Sequence, residues 1–418
     1  MKRVLIIAHL GLASPRIIGL AKYLDLYGWK ATILTPRMTS NQKLKFVFPD
    51  CPRLEIVETA KHTMHYGQEL DRPADLPLVG RIVNSLKYRL NKYFISKYTE
   101  YPDSQKAWMP HALDEAGCLL QKRNYSALLS SSSPVSCHII SHKLKKLYNI
   151  PWVADFRDLW THNHNYSHSS LRRLFERNLE RKILSNSDAM ITVSPQWVRK
   201  LREFHRSSNI HLITNGFEES PNQTKDYSNE KIVFSYTGRI YPGKQDCSKI
   251  LMAISNLIEE GILEADKIEF NYYGPTKSVI ESATNQFPSN AYCGWINLYD
   301  SVSRKQSYRI QRSSDILVLF NWEDGREKGV VPSKLFEYIG AKKHIIATGG
   351  YGSDFVAEIL FITKGGFYCK DIEEIKHTIV TLIRKIRREE CIYADHISNY
   401  SYRSLSRRLA RVLNNVLV

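Results

Sequence analysis

The chain has 418 residues, of which 43% are hydrophobic and 24% charged, so it is long enough for two globular domains and too rich in apolar residues to be disordered. Its 59 Lys and Arg against 42 Asp and Glu give a net charge of +17, which favours an anionic partner: nucleic acid, a membrane surface or a phosphorylated substrate. Seven scattered cysteines without a CxxC pair argue against a disulfide framework or a zinc site and fit a reducing cytosol.

Met1-Lys2-Arg3 followed by Val4 to Ala13 has the outline of a signal peptide. The apolar run is short and continues straight into a helical pattern, so it reads as a first buried strand, Val4–Ala8. A loop with Gly11 follows. Pro15 then opens a helix whose apolar residues Ile17, Leu20, Ala21 and Leu24 share a face, and Gly28 ends it. Ala31–Leu34 is the next strand, which makes a β-loop-α-β opening. Residues 81 to 98 carry Arg81, Lys87, Arg89, Lys92 and Lys97 among Ile82, Val83, Leu86, Leu90, Tyr93, Phe94 and Ile95. This basic amphipathic pattern suits either a helix on anionic lipid or an ordinary surface helix.

Strands are expected at Ser126–Ser130, Pro151–Ala154 and Ala189–Val193, with helices at Val135–Tyr148 and Arg172–Leu184. The polar stretch 216–230 reads as a linker. A second α/β pattern then places strands at Ile232–Tyr236, Ile268–Tyr272, Ile316–Phe320 and His344–Ala347. The tail from Ser401 is a basic amphipathic helix. The expected organisation is an amino-terminal domain over 1–215, a linker over 216–230, a carboxyl-terminal domain over 231–395 and a terminal helical segment over 396–418. In two such doubly wound α/β domains, ligands sit at the carboxyl ends of the strands, in a cleft between the domains.

Two segments carry the chemistry. In Gly329-Val330-Val331-Pro332-Ser333-Lys334-Leu335-Phe336-Glu337, Pro332-Ser333 marks a helix start, where free backbone N–H groups and the helix dipole attract an anion. Glu337 shares a face with Ser333 and can accept two hydrogen bonds from a ribose diol, so the spacing suits a nucleotide diphosphate; a merely solvated glutamate fits it equally. In Gly238-Arg239-Ile240-Tyr241-Pro242-Gly243-Lys244, a glycine directly after a strand admits a ligand, and two cations follow within one loop. They can stabilise the charge of a departing diphosphate, or form a basic surface turn. Asp155, Arg157 and Asp158 follow a strand and read as site residues, with an internal ion-pair cluster as the alternative. Arg16, beside Gly11 at the first β-α junction, can meet phosphate or a neighbouring carboxylate. His162, His164 and His168 fit no usual zinc arrangement and read as a solvated loop, and no Asp-x-Asp pair suited to a metal-diphosphate occurs.

Gly238-Arg239 with Lys244, followed by Pro332-Ser333-Lys334-Leu335-Phe336-Glu337-Tyr338, resembles glycosyltransferase family 4 of the GT-B fold. Thr214-Asn215-Gly216, Asp188 to Ser194, and Asp155 to Trp160 after Ser131-Ser132-Ser133-Pro134 resemble further segments of that family, of its bacterial cell-surface polysaccharide type. The resemblance implies a metal-independent, configuration-retaining transfer of sugar from a nucleotide diphosphate-sugar to a glycan or lipid-linked hydroxyl, with no cofactor. It places Glu337 at the ribose and Arg239 and Lys244, as the catalytic pair, at the diphosphate, with Gly238, Val330, Val331, Pro332, Ser333 and Lys334 around the donor; Gly11, from its position at the first β-α junction, can let the backbone approach the donor phosphates. Asp155, Arg157 and Asp158 are placed at the acceptor, and no residue on a metal.

Two departures stand out: the first Glu of the family's Glu-x7-Glu motif is Gly329, and the family's His before a Pro is missing from Ser132-Ser133-Pro134. They leave a catalytically silent binding protein of the same shape as the alternative. The expected location is the cytoplasm, at the inner face of the membrane. No helix-turn-helix, RNP-like or zinc-finger pattern supports nucleic-acid binding.

Overall fold

The computed structural model describes residues 1–11, 15–39, 54–59, 101–163, 168–219, 231–285, 287, 294–323, 329–350, 354–388 and 396–417. The basic stretch 81–98, His164 and most of the expected linker lie outside them. The chain divides into two compact units: residues 1–192, 201–211 and 409–418, and residues 193–200 and 212–408.

The first unit is built on a seven-stranded sheet in the order β3-β2-β1-β4-β5-β6-β7, parallel from β3 through β6. Its strands are β1 (Lys2–Ile7), β2 (Trp29–Pro36), β3 (Glu55–Thr59), β4 (Ala127–Ser132), β5 (Trp152–Phe156), β6 (Ala189–Thr192) and β7 (Ile210–Leu212). Helices α1 (Arg16–Lys22), α2 (Met109–Lys122), α3 (Ser136–Tyr148), α4 (Ser170–Leu184) and α5 (Pro195–His205) connect them, α5 running from residues of the second unit into the first. The pattern that ends at Gly28 is two pieces, α1 and a 3-10 turn over Leu24–Tyr27, and Gly28 closes the turn at φ 83°. A glycine takes that left-handed conformation at no steric cost.

The second unit holds a six-stranded parallel sheet in the order β10-β9-β8-β11-β12-β13. The strands are β8 (Ile232–Thr237), β9 (Ile268–Tyr273), β10 (Ile296–Tyr299), β11 (Ile316–Phe320), β12 (His344–Thr348) and β13 (Gly366–Cys369). They are joined by α6 (Ser248–Glu259), α7 (Lys277–Thr284), α8 (Arg304–Ser313), α9 (Ser333–Ala341), α10 (Phe355–Thr363) and α11 (Ile372–Arg387). Both faces of this sheet are covered, and β11 shows how. Ile316, Val318 and Phe320 pack into one core with Ile250, Ile254 and Ile379, while Leu317 and Leu319 pack into another with Leu335, Ile339 and Ile359. A strand buried on both faces must be apolar throughout, which is why ILVLF was legible as a strand.

The expected linker begins inside the second unit. Phe217 bridges Ser401: its N–H donates to Tyr400 O (3.2 Å) and its carbonyl accepts from Tyr402 N (2.9 Å). The terminal helix α12 (Tyr402–Asn415) follows, and its residues from 409 group with the first unit, where Lys2 Nζ and Trp29 Nε1 donate to Asn414.

Candidate functional site

At the carboxyl ends of the second unit's strands, three segments distant in sequence converge. The first is the loop after β8. Gly238 has φ +121°, and a Cβ there would collide with the Cε of Lys334. No residue but glycine allows both the backbone angle and the close approach of the lysine. The loop after β9 supports it: Ile240 N donates to Thr276 Oγ1 (3.0 Å), and the Gly274 position faces the Gly238 carbonyl. The third segment is α9, whose Tyr338 hydroxyl accepts from Thr237 N (3.2 Å), fixing helix to loop.

The first turn of α9 has no acidic residue and, among the described residues, no side-chain cap, and of its N–H groups that of Leu335 turns back to the Pro332 carbonyl (3.1 Å). Val331 is buried, while Val330, Pro332 and Ser333 are half-buried. Lys334 packs over the Tyr236 ring, 5.4 Å from its centroid, and among the described residues no acid is within ion-pair distance of it. Burial pulls its pKa down, with Glu337 opposing. Arg239 is exposed, and Lys244 is half-buried over the Trp322 ring at 5.0 Å.

Glu337 faces inward rather than standing free. Its Oε1 accepts from Arg304 Nη2 (2.7 Å) and its Oε2 from Gln311 Nε2 (3.3 Å). Neither partner was visible in local spacing, because both sit on α8, and only the sheet order brings α8 beside α9.

Gly329 has φ +106°, and a Cβ there would lie 2.6 Å from Trp197 Cδ1 and 2.8 Å from Gln196 Cβ. Where the family motif has its first glutamate, this chain therefore has neither the backbone angle nor the room for a side chain.

In the first unit the expected acceptor residues separate. Asp155 is completely buried. Arg16 donates to it from Nη2 (2.9 Å) and Nε (3.2 Å), and Ser131 Oγ donates at 2.8 Å. This is the internal ion pair, with Arg16 also fully buried. Arg157 and Asp158 do lie together at the end of β5. Arg157 Nη2 donates to Ser133 O (2.8 Å) and its Nε to Asp158 Oδ2 (3.3 Å), while Nη1 is buried with no hydrogen-bond partner among the described residues. Gly11 follows β1, after Leu10, whose N–H donates to Thr35 Oγ1 (3.0 Å). His138, close to the missing family histidine in sequence, is no base. It is fully buried on α3, its Nδ1 is 2.7 Å from Ser130 Oγ, and burial pushes its pKa down to about 4.

The architecture is the GT-B class: two parallel-sheet α/β units. Residues 13–216 match the glycosyl transferase 4-like domain family, so the chain carries such a domain and is a glycosyltransferase of the GT-B type. Among solved structures it is similar over 100% of its length to sucrose-phosphate synthase from Thermosynechococcus elongatus, covering 95% of that chain at 13% identity and TM-score 0.54. It is similar to Anabaena HepE in complex with UDP-glucose, over 100% of this chain and 98% of that one, at 10% identity and TM-score 0.54. A putative UDP-N-acetylglucosamine 2-epimerase from Listeria monocytogenes is also similar, over 99% of this chain and 96% of that one, at 10% identity and TM-score 0.57. At these identities the likeness is one of fold. Among curated proteins, none matches the chain.

Proposed function

We propose that the chain transfers a sugar, with retention and without a metal ion or cofactor, from a nucleotide diphosphate-sugar to a hydroxyl of a glycan or lipid-linked acceptor in cell-surface polysaccharide synthesis. The observation that carries this reading is the close approach of Gly238, at the root of the loop that bears Arg239 and Lys244, to Lys334 at the start of α9, with Glu337 one helical turn further on. Cations and backbone N–H groups take the diphosphate, and the carboxylate takes the ribose. The HepE complex with UDP-glucose supports a donor of that class. In the reaction the bond from the anomeric carbon to the diphosphate oxygen breaks and one to the acceptor oxygen forms on the same face. The acceptor's proton passes to the leaving phosphate, so no protein base is required. Retention rests on the resemblance to family 4.

A nucleotide-sugar epimerase shares this fold and needs no acceptor; the glycosyl transferase 4-like match favours transfer. Screening UDP-, GDP- and ADP-sugars by thermal shift identifies the donor, because a ligand that binds only the folded chain raises its melting temperature. Glu337→Ala is expected to weaken that donor by about 2–4 kcal/mol, through loss of a charged hydrogen-bonding partner. Unchanged affinity in calorimetry would move the ribose site elsewhere. Epimerised donor sugar without glycoside product would replace transfer by epimerisation, and chelator is expected to leave the rate unchanged.

We further propose that the acceptor lies at the cytoplasmic face of an anionic membrane. Among the described residues no helix is long and apolar enough to cross a membrane. The support is α4, which exposes Leu171 (65%), Leu174 (55%) and Phe175 (57%) on one face. Arg173, Arg177, Arg181 and Lys182 stand exposed around them. The two acids of the helix are turned inward, Glu176 against Arg172 (2.9 Å) and Glu180 against His205 (3.3 Å). A surface that is apolar and cationic, with its acids withdrawn, suits an anionic lipid interface. Vesicles with anionic lipid are expected to bind the chain, salt to weaken binding, and Leu174→Ser with Phe175→Ser to reduce it. Equal binding to neutral vesicles, or none to either, would point to a soluble acceptor.

A further inference from the structure

We propose that Arg304 is a positioning residue for the donor's ribose: it fixes the Glu337 carboxylate, while Gln311 ties that carboxylate to the loop that meets the diphosphate. This rests on the donor-site reading above.

Arg304 is the first residue of α8, and the start of that helix is held by a capping box. Ser303 N donates to Gln306 Oε1 (3.0 Å), and Gln306 N donates to Ser303 Oγ (3.3 Å). The arginine backbone is thereby fixed. Its side chain is fixed at a second point, with Nε donating to Tyr308 Oη (2.8 Å) one turn along. What remains of the guanidinium is aimed at α9, with Nη2 2.7 Å from Glu337 Oε1. Burial opposes the charge of Arg304, yet the Glu337 carboxylate holds its pKa above the ordinary value.

Gln311, two turns further along α8, is completely buried. Its Nε2 lies 2.9 Å from Thr237 Oγ1, 3.0 Å from Ser307 Oγ and 3.3 Å from Glu337 Oε2, so two N–H groups are shared among three acceptors and the hold on Glu337 is weaker than that of Arg304. Thr237 is the last residue of β8, directly before Gly238 and Arg239. One amide therefore joins the carboxylate to the root of the cationic loop.

The chemistry follows from counting acceptor sites. An ionised carboxylate offers about four lone-pair sites. Each oxygen of Glu337 gives one to the protein and keeps one, which matches the two hydroxyls of a vicinal diol. A glutamate held only by its own side chain loses rotamer freedom when it grips a ligand; one already fixed by Arg304 and Gln311 does not. The half-buried charge is also balanced before the donor arrives. Lys334 lies three residues earlier on the same helix, roughly 4.5 Å of rise toward its N-terminus, so diol and diphosphate are gripped from adjacent turns.

The test is a comparison of ligands. The full chain is titrated calorimetrically with UDP, GDP and ADP and with their 2′-deoxy counterparts, which lack one hydroxyl of the diol. The wild type is expected to prefer the ribose form of its nucleotide. Arg304→Met is expected to weaken the ribose form by roughly ten- to hundredfold and the deoxy form much less, so that the preference shrinks. Arg304→Lys, which keeps the charge but not the two-point hold, recovers part of the preference and carries the comparison if Arg304→Met does not fold.

Each contrary outcome is separable. No binding of any nucleoside diphosphate by the wild type overturns the donor reading and this proposal with it. Equal wild-type affinity for ribose and deoxyribose forms removes the ribose role of Glu337. A wild-type preference that persists in Arg304→Met, or an equal loss on both forms, overturns the role of Arg304 and leaves the donor site standing.

Discussion

Arg239→Ala and Lys244→Ala are each expected to lower turnover by a factor on the order of 10² or more, with little change in folding stability. The reasoning starts from exposure. Arg239 projects from the loop after β8 into solvent, so its loss leaves no buried cavity. Lys244 is half-buried, with its ammonium over Trp322 rather than in the core. A charge that contributes little to the fold, carried on the loop whose Gly238 approaches Lys334 of α9, acts on what arrives there. Its largest effect falls where negative charge grows, on the diphosphate as the glycosidic bond breaks. Steady-state kinetics with the identified donor, alongside thermal denaturation, makes the comparison. Wild-type turnover in either variant would place the leaving group elsewhere. A parallel loss of stability and rate would make the loop structural.

Asp155→Ala is expected to cost about 3–5 kcal/mol of stability, because it leaves the fully buried Arg16 guanidinium without its carboxylate. Replacing both groups by apolar residues, Arg16→Met with Asp155→Leu, removes the stranded charge and is expected to recover most of that loss. Denaturant unfolding of the single and double variants measures the difference. If Asp155 instead held an acceptor, its substitution would raise the acceptor KM and leave the unfolding midpoint in place.

The central strands were legible in the sequence and the edges were not. Nine expected strands correspond to β1, β2, β4, β5, β6, β8, β9, β11 and β12. The four that were missed, β3, β7, β10 and β13, are the outermost strands of the two sheets. A central strand is covered on both faces and advertises itself as an unbroken apolar run. EIVET, IHL, INLY and GFYC are short or mixed, because an edge strand is incompletely covered.

The same physical reason divides the site. The loop from Gly238 to Lys244 and the helix from Ser333 to Glu337 are local, so spacing revealed them. Whether Asp155 faces a ligand or a buried arginine depends on a residue 139 positions away. The partners of Glu337 depend on α8 lying beside α9. Sequence supplied both alternatives for Asp155; only packing chose.

Gly329 also constrains how this protein can change. A glutamate placed there meets Trp197 and Gln196 at once and must adopt φ +106°, which any residue with a Cβ strongly disfavours. The familiar two-glutamate arrangement is therefore not one substitution away. Trp197 has to become smaller first, and the turn at 329 has to relax before a longer side chain is of use. Those preliminary steps bring no gain of their own while Glu337 is already held by Arg304 and Gln311. The order of substitutions, not only their identity, separates this chain from the two-glutamate form.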